Sequence, residues 1–178
     1  MSSQLLIEIP SVEQHSTGFG IGTATPRLSW RFLTTADSGL YDWKQNAYEV
    51  HIVRSESQDE IYHVTSNESV LVPWPSTPLQ SRESAQIRVR AYGCNAANDK
   101  AEPTAWSPWR TIECGLLDRS DWIARPIASS SEPQPDGPLR PLRFRREFRI
   151  SATTAVKKAR LYITSLGIYR AFVNGHLV

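Results

Sequence analysis

The sequence is poor in the residues and motifs from which most metal and catalytic sites are built. It has two cysteines and one methionine in 178 residues, and its four histidines stand at no spacing typical of metal ligands. Neither a Cys-x-x-Cys nor a His-Glu-x-x-His motif occurs. The glycine-rich stretch 18–22 does not end in the Lys-Ser/Thr pair of a phosphate-binding loop. We therefore expect no metal, no cofactor and no catalytic residue in this chain.

The sequence also lacks an excess of either charge and any long apolar run. Its formal net charge is +2, with acidic and basic residues interspersed, which argues against a nucleic-acid partner. No apolar stretch approaches the roughly 20 residues that span a membrane, so no membrane partner is expected. Residues 1–9 have none of the features of a secretory signal. We expect a cytoplasmic protein, or a secreted one whose leader has been removed.

The two cysteines, Cys94 and Cys114, are predicted to remain free thiols. Each ends a strand of one predicted hairpin, and antiparallel pairing puts them at opposite ends of the ladder, roughly 25 Å apart at about 3.3 Å per residue. A disulfide needs Cα atoms within about 7 Å of each other. Free thiols suit a reducing compartment.

Against these absences stands a strong β-strand pattern. The stretch 86–92 alternates apolar and polar residues with period two, so its apolar residues face a core while Arg88 and Arg90 face outward. After a polar loop over 95–104, the Trp-Ser-Pro-Trp segment at 106–109 opens the return strand of a hairpin. We expect both arginines to stack on its first or last tryptophan on the outer face, each pair contributing roughly 0.5–1 kcal/mol when exposed.

Other segments repeat the pattern. In the stretch 45–54, Glu49 and His51 occupy outward positions and are expected to be exposed. The stretch 73–78 cannot lie inside a sheet because its prolines lack the N–H group. The glycine-rich stretch 18–22 is predicted to be a flexible surface loop. Further strands are predicted over 5–9, 26–32, 59–65 and 69–72.

The sequence divides into three parts. Seven short strands with regularly spaced turns predict that residues 1–117 form a fibronectin type III/immunoglobulin-like β-sandwich. Residues 118–141 are predicted to be a linker, because their second half is rich in Ser, Pro and Gly. Residues 142–178 are expected to begin a second β-sandwich domain, in which Asn174-Gly175 is a strong hairpin signal. Since only three residues follow that turn, we expect this domain to be incomplete and the chain to be a fragment. Its strands are predicted over 142–150, 159–163 and 167–173.

Six tryptophans are many for a chain of this length. Trp30, inside a predicted strand, is expected in the core. Three others stand where they can be exposed to contact a carbohydrate or a partner: Trp43, Trp74 and Trp109. Packing of these rings against arginine or proline would explain them equally well. Asp118 and Asp121 are interpreted as capping and solvated residues rather than as a catalytic acid and base.

Several short motifs follow one another in a specific order along the chain. They are Pro26-Arg27-Leu28-Ser29-Trp30, Gln45-x-Ala47-Tyr48-Glu49-Val50, Pro78-Leu79-x-Ser81-Arg82 and Gly115-Leu116-Leu117-Asp118-x-Ser120-Asp121-Trp122. Their order and spacing resemble the fibronectin type III-like N-terminal domain of α-L-rhamnosidases. Further on, Phe144-Arg145-Arg146-Glu147-Phe148, Leu166-Gly167-x-Tyr169 and Asn174-Gly175 resemble the opening of that family's next domain, a jelly-roll-like β module.

The resemblance implies an all-β chain that is the non-catalytic N-terminal accessory region of an α-L-rhamnosidase. The family's catalytic carboxylates lie in a downstream (α/α)₆ barrel, so none is carried over to this sequence. The implied parent enzyme hydrolyses terminal α-L-rhamnosides with inversion. Its implied partners are the downstream catalytic domain and, through the whole enzyme, a rhamnosylated small molecule or glycan. Two alternatives stay open: a protein-binding fibronectin-type module, since Trp-Ser-x-Trp with facing arginines is also similar to cytokine receptors, and a stand-alone carbohydrate-binding module.

Overall fold

Strands dominate the computed structural model, which describes residues 5–34, 42–54, 59–95, 98–130, 141–151 and 155–178. The chain forms two compact units, Met1–Trp122 and Ile123–Val178. Among the described residues, no helix has the length and apolar character needed to cross a membrane. We predicted a sandwich over residues 1–117, a linker over 118–141 and a second domain over 142–178. These three boundaries remain a prediction.

The first unit is built from ten strands within its described residues. They are β1 (Leu6–Ile7), β2 (Ser11–Val12), β3 (Phe19–Ile21), β4 (Leu28–Ser29), β5 (Phe32–Leu33), β6 (Lys44–Arg54), β7 (Glu60–Val64), β8 (Ser84–Asn95), β9 (Asn98–Pro103) and β10 (Arg110–Cys114). One layer is a six-stranded sheet in the order β3–β10–β8–β6–β7, with β9 also pairing with β8. The other layer consists of two short pairs, β1–β5 and β2–β4. A 3-10 turn, Arg119–Asp121, follows the last strand.

The antiparallel pairing of β6 with β8 is the longest in the sandwich. It runs from Lys44 opposite Cys94 to Arg54 opposite Ala85. Because side chains alternate along a strand, one face of this pair carries the apolar residues and the other the polar ones. The apolar face meets the two short pairs in a common core, which confirms the predicted all-β sandwich. Its fully buried members include Ile21, Leu28, Val50, Ile52, Ile87, Val89 and Ile112.

Two of the predicted strands differ in extent from the expectation. The stretch 26–32 forms two strands, since β4 pairs with β2 and β5 pairs with β1. The stretch 69–72 forms no strand of its own, but Val72 and Leu28 exchange both backbone hydrogen bonds, at 2.8 and 2.9 Å. The second layer is therefore made of two short strand pairs and an isolated backbone bridge. In the larger sheet, β7 confirms the strand predicted over 59–65.

The glycine-rich stretch 18–22 is not the surface loop that we predicted. Its central residues form β3, which pairs in parallel with β10, and Ile21 is fully buried. Gly18 has a φ of +78°, and a Cβ atom there would lie 2.6 Å from the carbonyl oxygen of Thr111. Glycine is therefore needed for the close approach of two backbones. A local pattern does not distinguish that requirement from a loop.

The chain also pairs back onto β8 earlier in the sequence than predicted. The stretch expected as a polar loop over 95–104 contains β9, whose first residue, Asn98, pairs with Asn95. The chain leaves regular pairing over 104–109 and resumes it as β10. Polar residues can form this strand because the ladder is made by backbone groups.

The two cysteines lie far apart on the six-stranded sheet. Cys94 is opposite Lys44 near one end of β8, and the amide of Cys114 bonds to Glu83, just before the other end of β8. Both are free thiols, as predicted.

In the second unit, the described residues form one hairpin. β11 (Phe172–Val173) and β12 (His176–Leu177) pair in antiparallel fashion. Asn174 and Gly175 have φ values of 50° and 84°, as a type I′ turn requires, which confirms the hairpin signal. The strands predicted over 142–150 and 159–163 do not form, and their apolar side chains are exposed. A strand needs a neighbouring strand to pair with, and the described residues place none beside these two stretches.

Replacing Gly93 by alanine should destabilise the sandwich by about 2 kcal/mol or more. Gly93 lies in β8 beneath the Trp43 ring, and a Cβ atom there would overlap both that ring and the carbonyl oxygen of Lys44. Urea unfolding followed by tryptophan fluorescence measures the effect. Gly22→Ala is the matched control, because nothing lies within 4 Å of a Cβ atom at Gly22. Equal unfolding midpoints for the two variants would contradict this explanation.

Candidate interaction surfaces

One surface of the sandwich concentrates aromatic and charged side chains. It is the face of β6 and β8 that points away from the core, where the register places His51 opposite Arg88 and Glu49 opposite Arg90. The segment 104–109 brings two tryptophans over the same face. We call this set the outer-face ladder: Glu49, His51, Arg88, Arg90, Trp106 and Trp109.

Two hydroxyl groups hold the segment 104–109 against β8. Thr104 donates its amide to the carbonyl of Ala91 at 2.8 Å and accepts the Ala91 amide at its Oγ1 atom at 3.1 Å. Ser107 repeats the arrangement with Val89, at 2.8 and 3.0 Å. These side-chain oxygens replace the carbonyls of a regular strand, so the amides of β8 stay bonded. The segment can therefore depart from strand geometry and still hold its tryptophans over the outer face.

The indoles alternate with guanidinium groups, as the sequence predicts. The Cζ atom of Arg88 lies 4.8 Å from the ring centre of Trp106 and 4.4 Å from that of Trp109. The Cζ atom of Arg90 lies 4.6 Å from the ring centre of Trp106. These are cation–π distances, so the predicted interleaving is confirmed. The side chains are half-buried, and the arginine stems also cover the strand surface.

His51, which the alternation predicts to be exposed, is 6% exposed and therefore buried. Its ring centre lies 5.0 Å from that of Trp109 and 5.6 Å from that of Trp106, so the indoles form a cover that a two-layer pattern does not anticipate. The Nε atom of Arg88 donates to Nδ1 at 3.1 Å, and Nε2 lies 3.1 Å from Oδ2 of Asp59. With Nδ1 as an acceptor, the ring proton is on Nε2 and points to Asp59.

Glu49, on β6, connects its own strand to the two neighbouring strands β8 and β7. Its carboxylate accepts from Nε of Arg90 at 2.6 Å and from the hydroxyl of Tyr92 at 2.9 Å, and Nδ1 of His63 lies 3.4 Å away. Burial raises the pKa of Glu49, but the bonds from Arg90 and Tyr92 outweigh burial and leave that pKa below its ordinary value. Burial, and then the bond to Glu49, raises the pKa of Tyr92. The ladder therefore contains a carboxylate held in its ionised form.

A second polar cluster holds the segment by which the chain leaves the sandwich. The Ser81 hydroxyl donates to Oδ2 of Asp121, 40 residues along the chain, and accepts the amide of Leu117 at 2.8 Å. The same carboxylate oxygen accepts the amide of Asp118 at 3.0 Å, and Arg82 donates to the carbonyl of Asp121 at 3.0 Å. We call these five residues the exit clasp.

The exit clasp lines a shallow open groove together with residues 22–24 and Leu79. Two carboxylates, those of Asp118 and Asp121, are among its lining groups. The hydrogen bond from Ser81, followed by that from the Asp118 amide, lowers the pKa of Asp121. A general acid for glycoside hydrolysis needs a raised pKa, so Asp121 is unsuited to that role. Within the described parts of the chain, no group of three or more His, Cys, Asp or Glu side chains could hold a metal ion.

The tryptophans predicted as candidate contacts lie in three different places. Trp43 packs against β5 at the edge of the core. Trp74 is buried, with its Nε1 atom donating to a backbone carbonyl at 3.0 Å, so of the two alternatives left open for it, packing describes it and exposure does not. Trp109 belongs to the outer-face ladder, which also contains Trp106, a residue that was not a candidate although its spacing from the arginines pointed to it. Trp30 is in the core, as predicted.

In this protein a six-stranded, mainly antiparallel sheet packs on two short strand pairs. This architecture is that of an immunoglobulin-like β-sandwich. The family model described as the Rha78A-like, N-terminal immunoglobulin domain matches residues 7–118. The chain therefore belongs to this family.

Similar proteins are much longer than this chain. An α-L-rhamnosidase of Streptomyces avermitilis is 31% identical over 133 residues, covering 71% of this chain and 12% of that protein. An α-L-rhamnosidase of Formosa agariphila is 29% identical over 171 residues, covering 88% of this chain and 17% of that protein. The chain thus spans less than a fifth of the length of these curated relatives.

Solved structures give the same correspondence. The native α-L-rhamnosidase of Aspergillus terreus matches with a TM-score of 0.58 and 40% identity, over 71% of this chain and 15% of that one. The Streptomyces avermitilis enzyme complexed with L-rhamnose matches with a TM-score of 0.56 and 31% identity, over 67% and 11%. The chain corresponds to the small N-terminal domain of large α-L-rhamnosidases.

Replacing Glu49 by glutamine should lower the free energy of unfolding by about 1–2 kcal/mol near pH 7, because a charge-assisted bond to Arg90 is weakened. The folded-state pKa of Glu49 lies below its ordinary value of 4.5, so this stabilisation is present above that pH and is lost as the pH falls through the folded pKa. Urea unfolding of both proteins between pH 7 and pH 3 measures the difference, which should narrow on acidification.

Glu68→Gln is the control for this measurement. Glu68 is exposed and forms no ion pair with the described residues, so its replacement should leave the unfolding midpoint nearly unchanged at every pH. A Glu49→Gln difference that widens below pH 4 would contradict the assigned ionisation.

Replacing Ser81 by alanine should speed hydrogen exchange of the amides of Leu117 and Asp118. The first amide loses its acceptor, and the second bonds to a carboxylate that loses its Ser81 donor. Exchange followed by mass spectrometry on the peptide spanning the exit clasp measures the change. Ser120→Ala, an exposed neighbour in the same segment, should leave exchange unaltered. Equal protection in the two variants would show that the clasp does not hold this segment.

Proposed function

We propose that this chain is the non-catalytic N-terminal accessory region of an α-L-rhamnosidase. The parent enzyme would hydrolyse terminal α-L-rhamnosides with inversion, using a general acid and a general base on a downstream catalytic domain. The observation that carries the proposal is the match of residues 7–118 to the N-terminal immunoglobulin domain of this family. The relatives that share it are several times longer, which leaves room in them for a separate catalytic domain.

The state of the acidic side chains supports a non-catalytic role. Inverting hydrolysis needs two carboxyl groups about 6.5–9.5 Å apart, one of them kept protonated. In the sandwich, the hydrogen bond from Arg27 lowers the pKa of Glu13, and that from Ser76 lowers the pKa of Glu60. Glu49 and Asp121 are held in the same direction by their own donors. Such groups stabilise a fold but are poor proton donors.

The exit clasp supports an accessory role because it fixes the place where the chain leaves the sandwich. It bonds the segment from Leu117 to Asp121 to the turn at Ser81, so the chain leaves the sandwich from one defined place. A module whose exit is held in this way can act as a spacer or support for the domain that follows. The proposed partner is accordingly the catalytic domain of the parent enzyme, and the rhamnosylated small molecule or glycan is bound by that enzyme as a whole.

Among the three candidate tryptophans, Trp109 is the one that we propose as a partner contact. It is half-exposed and stacked on Arg88, so its ring is held in place before a partner arrives. Trp43 and Trp74 are instead used in packing. A protein surface or a sugar ring could stack on the free part of Trp109.

The purified chain should not hydrolyse an aryl α-L-rhamnoside above the buffer rate. The physical reason is that hydrogen bonds lower the pKa values of Glu13, Glu49, Glu60 and Asp121, which makes these four carboxyl groups poor general acids. Release of the aryl group, followed by absorbance, measures the rate, with a full-length α-L-rhamnosidase as the positive control. Turnover that disappears in the variant Asp118→Asn or Asp121→Asn would overturn the non-catalytic assignment.

A further inference from the structure

The loop that follows β7 contains the tripeptide Asn67-Glu68-Ser69. An Asn-x-Ser/Thr tripeptide with a middle residue other than proline is the acceptor sequence for N-linked glycosylation in secreted proteins. This is the single such tripeptide in the 178 residues. Asn67 is exposed, and its side chain forms no hydrogen bond with the described residues. The acceptor amide is therefore free to react and to carry a bulky group.

The backbone around Asn67 is held from beneath. The Nε2 atom of buried Gln45 donates to the carbonyls of Ser66 and Glu68, at 3.0 and 2.7 Å. The Gln45 Oε1 atom accepts from the indole nitrogen of Trp30 at 3.2 Å, in the core. Because the carbonyls on both sides of Asn67 turn inward to Gln45, residue 67 stands at the outer tip of the turn. The tripeptide is thus presented by a fixed part of the sandwich.

Two exposed apolar residues follow the tripeptide. Val70 is 64% exposed and Leu71 is 42% exposed, although Val72, which follows them directly, is in the core. Leu71 has a φ of +51°, a conformation uncommon for a side chain other than glycine, asparagine or aspartate. This backbone is held by hydrogen bonds, from the Leu71 amide to the Ser29 hydroxyl at 2.7 Å and between Val72 and Leu28, and the two apolar side chains are left in water. The apolar faces of a sugar attached nearby would reduce their exposure to water.

We propose that Asn67 is the acceptor of an N-linked oligosaccharide. In the transfer, Nδ2 of Asn67 forms a bond to C1 of the reducing-end N-acetylglucosamine of a polyprenyl-diphosphate oligosaccharide. The bond between C1 and the diphosphate oxygen breaks, and the lipid diphosphate leaves with the proton that the amide loses. No electron is gained or lost. The transfer requires the chain to enter the secretory pathway, which is the secreted one of the two expected locations.

The free thiols are compatible with that pathway. Cys114 is buried, and burial raises its thiol pKa to about 11, so little reactive thiolate forms. Cys94 lies near the opposite end of β8 and cannot reach it. An oxidising lumen therefore has no disulfide to make within the sandwich.

The test is secretory expression of the full chain, with a leader supplied, in a yeast that performs N-glycosylation. The intact mass should exceed that of the polypeptide and fall to it, with Asn67 converted to aspartate, after treatment with a peptide N-glycosidase. Material inside the cells is measured in the same way, so a secretion failure does not remove the readout. A chain recovered at the bare polypeptide mass overturns the proposal.

Matched variants assign the site. Asn67→Gln and Ser69→Ala should both remove the added mass, whereas Ser69→Thr keeps the acceptor sequence and should retain it. Asn46→Gln, at an exposed asparagine outside any acceptor tripeptide, should also retain it. Added mass that persists in both Asn67→Gln and Ser69→Ala would place the modification elsewhere and overturn the proposal.

Discussion

The antiparallel pairing of β6 with β8 is the constraint on which the rest of the sandwich depends. A slip of one residue would turn Val50 and Ile52 to the outer face and bring Glu49 into the core. The shift would then lose apolar burial and also separate Glu49 from Arg90, leaving a charge without its partner in an apolar environment. The register is thus specified twice, by burial on one face and by matched charges on the other.

Period-two alternation is a property of one strand, so the sequence alone could predict β6, β8 and the outward placement of Arg88 and Arg90. The predictions that failed, for His51 and for the stretch 18–22, concern residues whose structure depends on a segment distant in sequence. His51 is buried because indoles from the segment 104–109 cover it, and β3 exists because the backbone of β10 approaches Gly18.

The exit clasp also depends on a contact between distant segments, which local sequence patterns do not predict. The motifs around Ser81 and Asp121 could each be recognised by their resemblance to a family, but no local pattern indicates that a hydroxyl and a carboxylate 40 residues apart are bonded. The Asn174-Gly175 hairpin is the opposite case, since two residues suffice to set the turn. The strands predicted between 142 and 163 needed partners to pair with, and period alone does not supply them.

The outer-face ladder is largely satisfied before any partner binds. Glu49 already bonds to Arg90, and Arg88 is stacked between two indoles. A partner that bound these charged side chains would replace one ion pair by another, so the gain in binding free energy would be small. The loss of side-chain entropy on binding would also be small, because these side chains are already held in place. A domain that is covalently joined to its partner does not need a strong surface, because a short connection gives an effective concentration in the millimolar range. Under the proposed accessory role, weak contacts at Trp109, together with an exit segment bonded to Ser81, would be enough to keep the domain in place.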